Sequence, residues 1–144
     1  METTWDGLPV SREKPFAVCV VVWRSAPGGR EFLVLHRHHG GPEHEGDWAW
    51  TPPSGARLPG EAPDTTASRE LGEETGLALR LTRCSRDPSD EVVLYLAEAP
   101  ADAEIALDEE HDRFEWRSLA DAVRSCLPTS VGLCLELAAA ELGE

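Results

Sequence analysis

A mixed α/β layered fold is predicted by three features of this chain. Apolar β-branched runs come first, one helical segment lies between strand-like stretches, and Ala- and Leu-rich helical sequence closes the chain. The 144 residues fit one domain over 1–144, and that length supports a core without disulfide staples.

The elements follow in order. Residues 1–14 are polar and read as irregular. Phe16–Trp23 (FAVCVVVW) reads as a buried strand, because a short run of Val and other apolar residues suits a surface covered on both sides. Ala26–Gly29 is a turn, and Glu31–His36 returns as a second strand, so 16–36 is expected to be a hairpin. Residues 38–47 are a polar, Gly-rich loop. Trp48–Thr51 reads as a short strand that Pro52 and Pro53 end. The helix expected over 63–75 has Pro63 in its first turn, where a missing N–H costs nothing, and Asp64 complements the helix dipole there. Gly76 stands where a left-handed cap is wanted. Strands are expected over Leu77–Cys84, Glu91–Ala97 and Asp112–Arg117. Ser118 is placed to cap a helix over 119–126, and Pro128–Leu142 reads as a final helix.

Charge and composition narrow the function. There are 27 acidic against 13 basic residues, a net charge of −14, which argues against a nucleic-acid backbone or an anionic membrane surface as partner. A small anionic substrate stays compatible, because a bound cation inverts the local field. No run of 18 apolar residues and no basic-then-apolar leader is present, and Cys19, Cys84, Cys126 and Cys134 form no C-x-x-C pair. The expectation is a cytoplasmic protein with reduced thiols.

The chemistry is concentrated in one helix. At about 100° per residue, Glu70, Glu73 and Glu74 fall within an arc of roughly 100°. Three carboxylates crowded there repel one another, whereas a solvated helix face usually alternates signs. A cation relieves the crowding, and oxygen-only ligands with room for water suit Mg2+ (or Mn2+). Ala67 and Leu71 lie beside the arc and can anchor the helix to the core. Gly55 permits close backbone approach, and its carbonyl is a further candidate ligand. Arg69 can pair with Glu73 or Glu61 and so orient the carboxylates.

The pattern Gly55, five residues, Glu61, seven residues, then Arg69-Glu70-Leu71-x-Glu73-Glu74-x-Gly76-Leu77 resembles the complete Nudix box, all nine specified positions matching over 23 residues. The resemblance implies the Nudix fold, a mixed β-sheet sandwiched between helices with its core at about 15–142, and hydrolysis of a diphosphate linkage in a nucleoside diphosphate joined to another moiety. By position, Glu70, Glu73 and Glu74 are implied metal ligands with Gly55, while Glu61 and Arg69 orient them. The general base is left between Glu73 and Glu110. Trp50-Thr-Pro-Pro-Ser-Gly55 and Glu110-His111-x-x-Phe114-x-Trp116 resemble segments of asymmetric diadenosine tetraphosphate hydrolases, with Ser54 where those enzymes have lysine. That likeness implies Glu110 as a further ligand or base and Phe114 as an adenine platform. Trp48 and Trp50 flank the box as core or pocket wall, and Arg37 is a candidate phosphate contact.

Nucleoside triphosphate pyrophosphohydrolases share part of the E-H-x4-W pattern and stand as the alternative. A non-catalytic nucleotide-sensing Nudix module would usually have lost box glutamates, and this chain keeps them all. A homodimer is compatible with the family. His36, His38, His39 and His44 are a weaker candidate for a transition-metal site, with His36 and His38 expected on one strand face and Arg37 opposite.

Overall fold

The computed structural model describes residues 3–4 and 7–144. Part of the stretch expected to be irregular, residues 1, 2, 5 and 6, lies outside the described residues. Thr3 and Pro9 form an isolated bridge. The hairpin is present: β1 (Ala17–Ala26) pairs antiparallel with β2 (Gly29–Arg37), in register from Trp23 opposite Phe32 to Ala26 opposite Gly29. Both strands run further toward the turn than the apolar runs suggest, because ladder bonds continue through polar residues once the register is set.

β1 is the centre of a seven-stranded mixed sheet. Its other edge pairs in parallel with β6 (Val92–Glu98), from Ala17 opposite Val92 to Trp23 opposite Glu98. That parallel pairing requires a crossover, which carries α1 (Pro63–Thr75). β3 (Trp50–Thr51) adds to β2, and so does β7 (His111–Arg117), with a register shift at His36/Arg37.

The two prolines do more than end a strand. Lacking N–H groups, Pro52 and Pro53 cannot continue the β3 ladder, but the Pro53 carbonyl accepts the Val20 N–H at 2.8 Å. The chain thereby passes from β2 to β1 and forms β4 (Ser54–Ala56), a strand the sequence reading lacked, with Gly55 opposite Val18. Conversely, the strand expected over 77–84 shrinks to β5 (Thr82–Arg83). Leu77, Leu79 and Leu81 pack their alternating side chains on the core without a ladder partner, so the period-2 signal is real but does not mark a paired strand.

Side chains of the sheet alternate between two cores. Val18, Val20 and Val22 join Leu33, Leu35, Val93 and Tyr95 beneath Ala67 and Leu71 of α1. Cys19 and Val21 join Phe32, Val34, Leu94 and Leu96 beneath α2 (Leu119–Ser125) and α3 (Thr129–Glu141). Burial on both faces is why β1 is uninterruptedly apolar from Ala17 to Trp23. Truncating Leu71, which is fully buried, removes contacts worth about 2–5 kcal/mol. Ser118 caps α2, accepting the Asp121 N–H at 3.3 Å, and all four cysteines are free and buried. No helix among the described residues is long and apolar enough to cross a membrane.

Candidate active site

Packing of Ala67 and Leu71 rotates α1 so that Glu70 and Glu74 face inward against β4 while Glu73 stays exposed. The cap at Gly76 (φ 75°) ends the helix, its N–H bonding the Gly72 carbonyl at 2.9 Å. Gly55 decides how closely helix and strand approach. A Cβ built there would lie 2.0 Å from Cδ of Glu70, so only glycine lets that carboxylate rest against β4.

Arg69 holds the outer half of the site. Its Nε and Nη2 donate to the two carboxylate oxygens of Glu61 at 2.8 and 2.9 Å, a bidentate pair. Nη1 reaches Glu70 at 3.0 Å and Glu73 at 3.3 Å, and Nη2 also donates to the Ala56 carbonyl at 3.1 Å. One guanidinium thus ties three box carboxylates to the end of β4. Glu61 further accepts Thr66 Oγ1 at 2.7 Å and the Leu58 N–H at 3.1 Å. The Arg69 hydrogen bonds are the main reason its carboxyl is held down at about 2.

The inner half is under-compensated. Glu74 is only 1% exposed; its Oε1 accepts the Ser54 N–H at 3.2 Å, and its Oε2 has no hydrogen-bond partner among the described residues. Burial, then the neighbouring Glu70 carboxyl, pushes the Glu74 carboxyl well above the usual range. Burial raises Glu70 too, against the neighbouring Glu74 carboxyl and then the Arg69 charge. The residues fit a hard divalent cation: an orphaned buried oxygen, a second carboxylate beside it, and an all-oxygen donor set.

The loop before β7 also contributes to the site. Glu110 lines a cavity of about 230 Å³ with Arg37, Gly55, Arg69, Glu70 and Glu73. Next to it His111 is buried; Nδ1–H donates to Asp108 at 2.9 Å, and Nε2 lies 3.9 Å from Glu74 Oε1. Burial lowers the His111 pKa, favouring the neutral ring. Asp108, Glu110 and His111 present ligand atoms within 4.8 Å of one another. The sequence reading had Glu110 but neither His111 nor Asp108, whose signal was adjacency to that glutamate.

The residues proposed for substrate divide. Arg37, just past the bulge, lines the cavity, and its Nε is buried with no hydrogen-bond partner among the described residues. Trp50 is instead a core residue. Its ring lies beneath the Arg113 and Arg117 guanidiniums, at 5.2 and 4.2 Å, and Nε1–H donates to Glu45 at 2.7 Å. Phe114 packs on the α1-side core and is not among the residues lining the carboxylate cavity. It points there because it alternates with Arg113, directly opposite Leu35 on β2.

The histidine cluster also dissolves. His36 is buried, with Nε2–H donating to the His44 carbonyl at 2.7 Å and Nδ1 at 2.8 Å from Asp112, so both ring nitrogens are engaged. The bulge breaks the shared face, and His38 and His39 are exposed.

Comparison with known proteins agrees with this geometry. The NUDIX domain matches residues 13–131. The asymmetrical bis(5'-nucleosyl)-tetraphosphatase of Rattus norvegicus is 35% identical over 104 residues, 64% of this chain and 67% of the relative. The Caenorhabditis elegans protein of that name is 29% identical over 119 residues, 75% and 82% of the two chains. A crystal structure of a C. elegans Ap4A hydrolase binary complex superposes with a TM-score of 0.70 at 28% identity, covering 88% of this chain and 96% of that one. With a complete box folded into a carboxylate crevice on a Nudix-type sheet, the chain belongs to the Nudix family and is a Nudix hydrolase.

Proposed function

We propose that this hydrolase cuts the phosphoanhydride chain of a dinucleoside polyphosphate of the diadenosine tetraphosphate kind, with Mg2+ (or Mn2+) held by Glu70, Glu73, Glu74 and the Gly55 backbone. The observation that carries the cation is the orphaned Oε2 of buried Glu74 beside Glu70. The substrate class rests on the relatives and on the Trp50–Gly55 and Glu110–Trp116 segments they resemble. Bound there, the cation supplies neutralisation of phosphate charge and activation of water.

The chain's own groups do the rest. Arg69 fixes the angle of Glu70 and Glu73 through Glu61, which its hydrogen bonds keep ionised. Glu73, with half its side chain exposed, and Glu110, which lines the same cavity, are the two carboxylates assigned to take a proton from the attacking water. Arg37 supplies a cation to the phosphate chain from the β2 end, the part that lysine at the Ser54 position plays in the resembled segment.

The test is product analysis with diadenosine tetraphosphate, dATP, GTP, ADP-ribose and NADH in Mg2+ or Mn2+. ATP plus AMP from the first supports asymmetric cleavage. A rate on that substrate thousands-fold below the rate on a mononucleotide rejects it in favour of nucleoside triphosphate pyrophosphohydrolysis. Nucleotide binding without any turnover would mark a sensing module instead.

A further inference from the structure

Cys19, Cys84, Cys126 and Cys134 all belong to the core beneath α2 and α3, but their surroundings differ. Of the four, Cys19 on β1 and Cys134 on α3 line one chamber of about 490 Å³ beside the carboxylate cavity. Two other residues of its lining, Trp48 and Leu133, are exposed. The chamber therefore gives a small solute a path to both sulfurs, although Cys19 and Cys134 are only 4% and 7% exposed.

The two thiols also bond to each other. Cys134 S–H donates to the Ser130 carbonyl at 3.8 Å, which leaves its sulfur free to accept Cys19 S–H. That shared hydrogen bond is the main reason the Cys134 thiol is held below the usual range and the Cys19 thiol well above it. Cys126 has no such relief, and burial pushes its thiol up to about 12; burial likewise pushes Cys84 up to about 11. One sulfur of the pair thus favours the thiolate, the reactive form, and a second thiol touches it. This is the relation between an attacking and a resolving cysteine. Among the described residues, no third Cys, His, Asp or Glu stands with the pair at metal-ligand spacing. The available partner for each sulfur is therefore the other sulfur, not a tetrahedral metal.

We propose that Cys19 and Cys134 are a peroxide-oxidised dithiol, a modification site whose reversible disulfide pins α3 to β1. The Cys134 thiolate attacks a peroxide oxygen, the O–O bond breaks, and the protonated leaving oxygen departs as water, leaving a sulfenic acid. The Cys19 sulfur then attacks the Cys134 sulfur. The S–S bond forms, the S–O bond breaks, and the hydroxide takes the Cys19 proton as a second water. The two thiols lose two electrons and two protons, and the peroxide is reduced to two waters. Cys19 stands opposite Ser54 in the β1–β4 ladder, one pair from Val18 opposite Gly55, so the clamp braces the strand against which the box carboxylates rest. The site holds whichever nucleotide is cut.

The test treats the whole protein with hydrogen peroxide, alkylates it with iodoacetamide under denaturing conditions and maps the peptides by mass spectrometry. Thermal unfolding is read on the same samples. The expected product is a Cys19–Cys134 linkage within one chain, two hydrogens lighter than the reduced protein, with Cys84 and Cys126 alkylated and full reversal by dithiothreitol. Tm is expected to rise by about 5–10 °C, because the bond closes a loop spanning most of the chain. Cys134→Ser is expected to remove both the linkage and the rise, while Cys84→Ser keeps both. The wild-type linkage map decides the matter even where Cys134→Ser fails to fold. Oxidation that falls first on Cys84 or Cys126, a Cys134 sulfinic acid without a linkage, or bonds only between molecules overturns the proposal. So does a linkage accompanied by a fall in Tm, which marks a bond that distorts the fold instead of clamping it.

Discussion

Glu61 and Glu74 belong to the same box and lie in opposite electrostatic surroundings. Glu61 has a bidentate arginine, a hydroxyl and a backbone N–H, and its carboxyl sits at about 2. Glu74 is deeper, has one backbone N–H, leaves one oxygen orphaned, and faces another carboxylate. The first is fully compensated by the protein and acts as scaffolding. The second is compensated only when something else arrives. In a row of box glutamates that look equivalent in sequence, the unsatisfied carboxylates mark the reactive centre and the satisfied ones mark its frame.

Four measurements press on that contrast. The largest effect belongs to the exposed box carboxylate that lines the cavity. Glu73→Gln is expected to lower kcat by about 10²–10⁴ if it takes the proton, with Glu110→Gln as the rival. Steady-state rates on the best nucleotide decide between them, and full activity in Glu73→Gln removes it from the reaction. Next, Arg69→Ala should cost about 10–100-fold in activity or metal affinity, since it orients ligands without needing to touch substrate. A loss no greater than that of an exposed arginine such as Arg80 would contradict the framing role.

Third, Glu74→Gln should stabilise the metal-free protein by about 1 kcal/mol while removing the rise in Tm that Mg2+ gives wild type, because the amide keeps the Ser54 bond without a buried charge. Thermal unfolding in EDTA and in Mg2+ reads both. A destabilised metal-free variant would mean that the pair is already compensated.

The smallest effect is in the pH dependence, and the two residues predict opposite signs. The raised Glu74 carboxyl contributes stability at low pH that is lost as pH rises through its folded value. The depressed Glu61 carboxyl contributes stability above its unfolded value, about 4.3, that is lost as pH falls toward about 2. In metal-free protein, Glu74→Gln should flatten the high-pH side of the Tm profile and Glu61→Gln the acid side. A single profile unchanged by either variant would dissolve the distinction.

Much of this molecule was legible in advance, for reasons that are local. The hairpin, the helix over 63–75 with its proline start and glycine end, and the carboxylate arc all depend on residues close in sequence, where periodicity and caps act directly. Misses came where partners are distant. β4 exists because β1 offers a free ladder edge to Ser54–Ala56, and 77–81 is not a strand because no neighbour offers one. Trp50 and Phe114 look alike as exposed-or-buried aromatics in the chain, and only the bulge, the Arg113–Arg117 stack and the pairing with β2 send them to the core.

The sequence by itself therefore determined the family, the reaction class and which carboxylates share one helix face, because a helix converts spacing into direction without outside help. Only the tertiary structure decided which of those carboxylates is starved of partners, that His111 and Asp108 stand behind Glu110, and that Trp48 rather than Trp50 faces open space. Burial and hydrogen-bond satisfaction depend on what the rest of the chain brings alongside, and no local pattern encodes that.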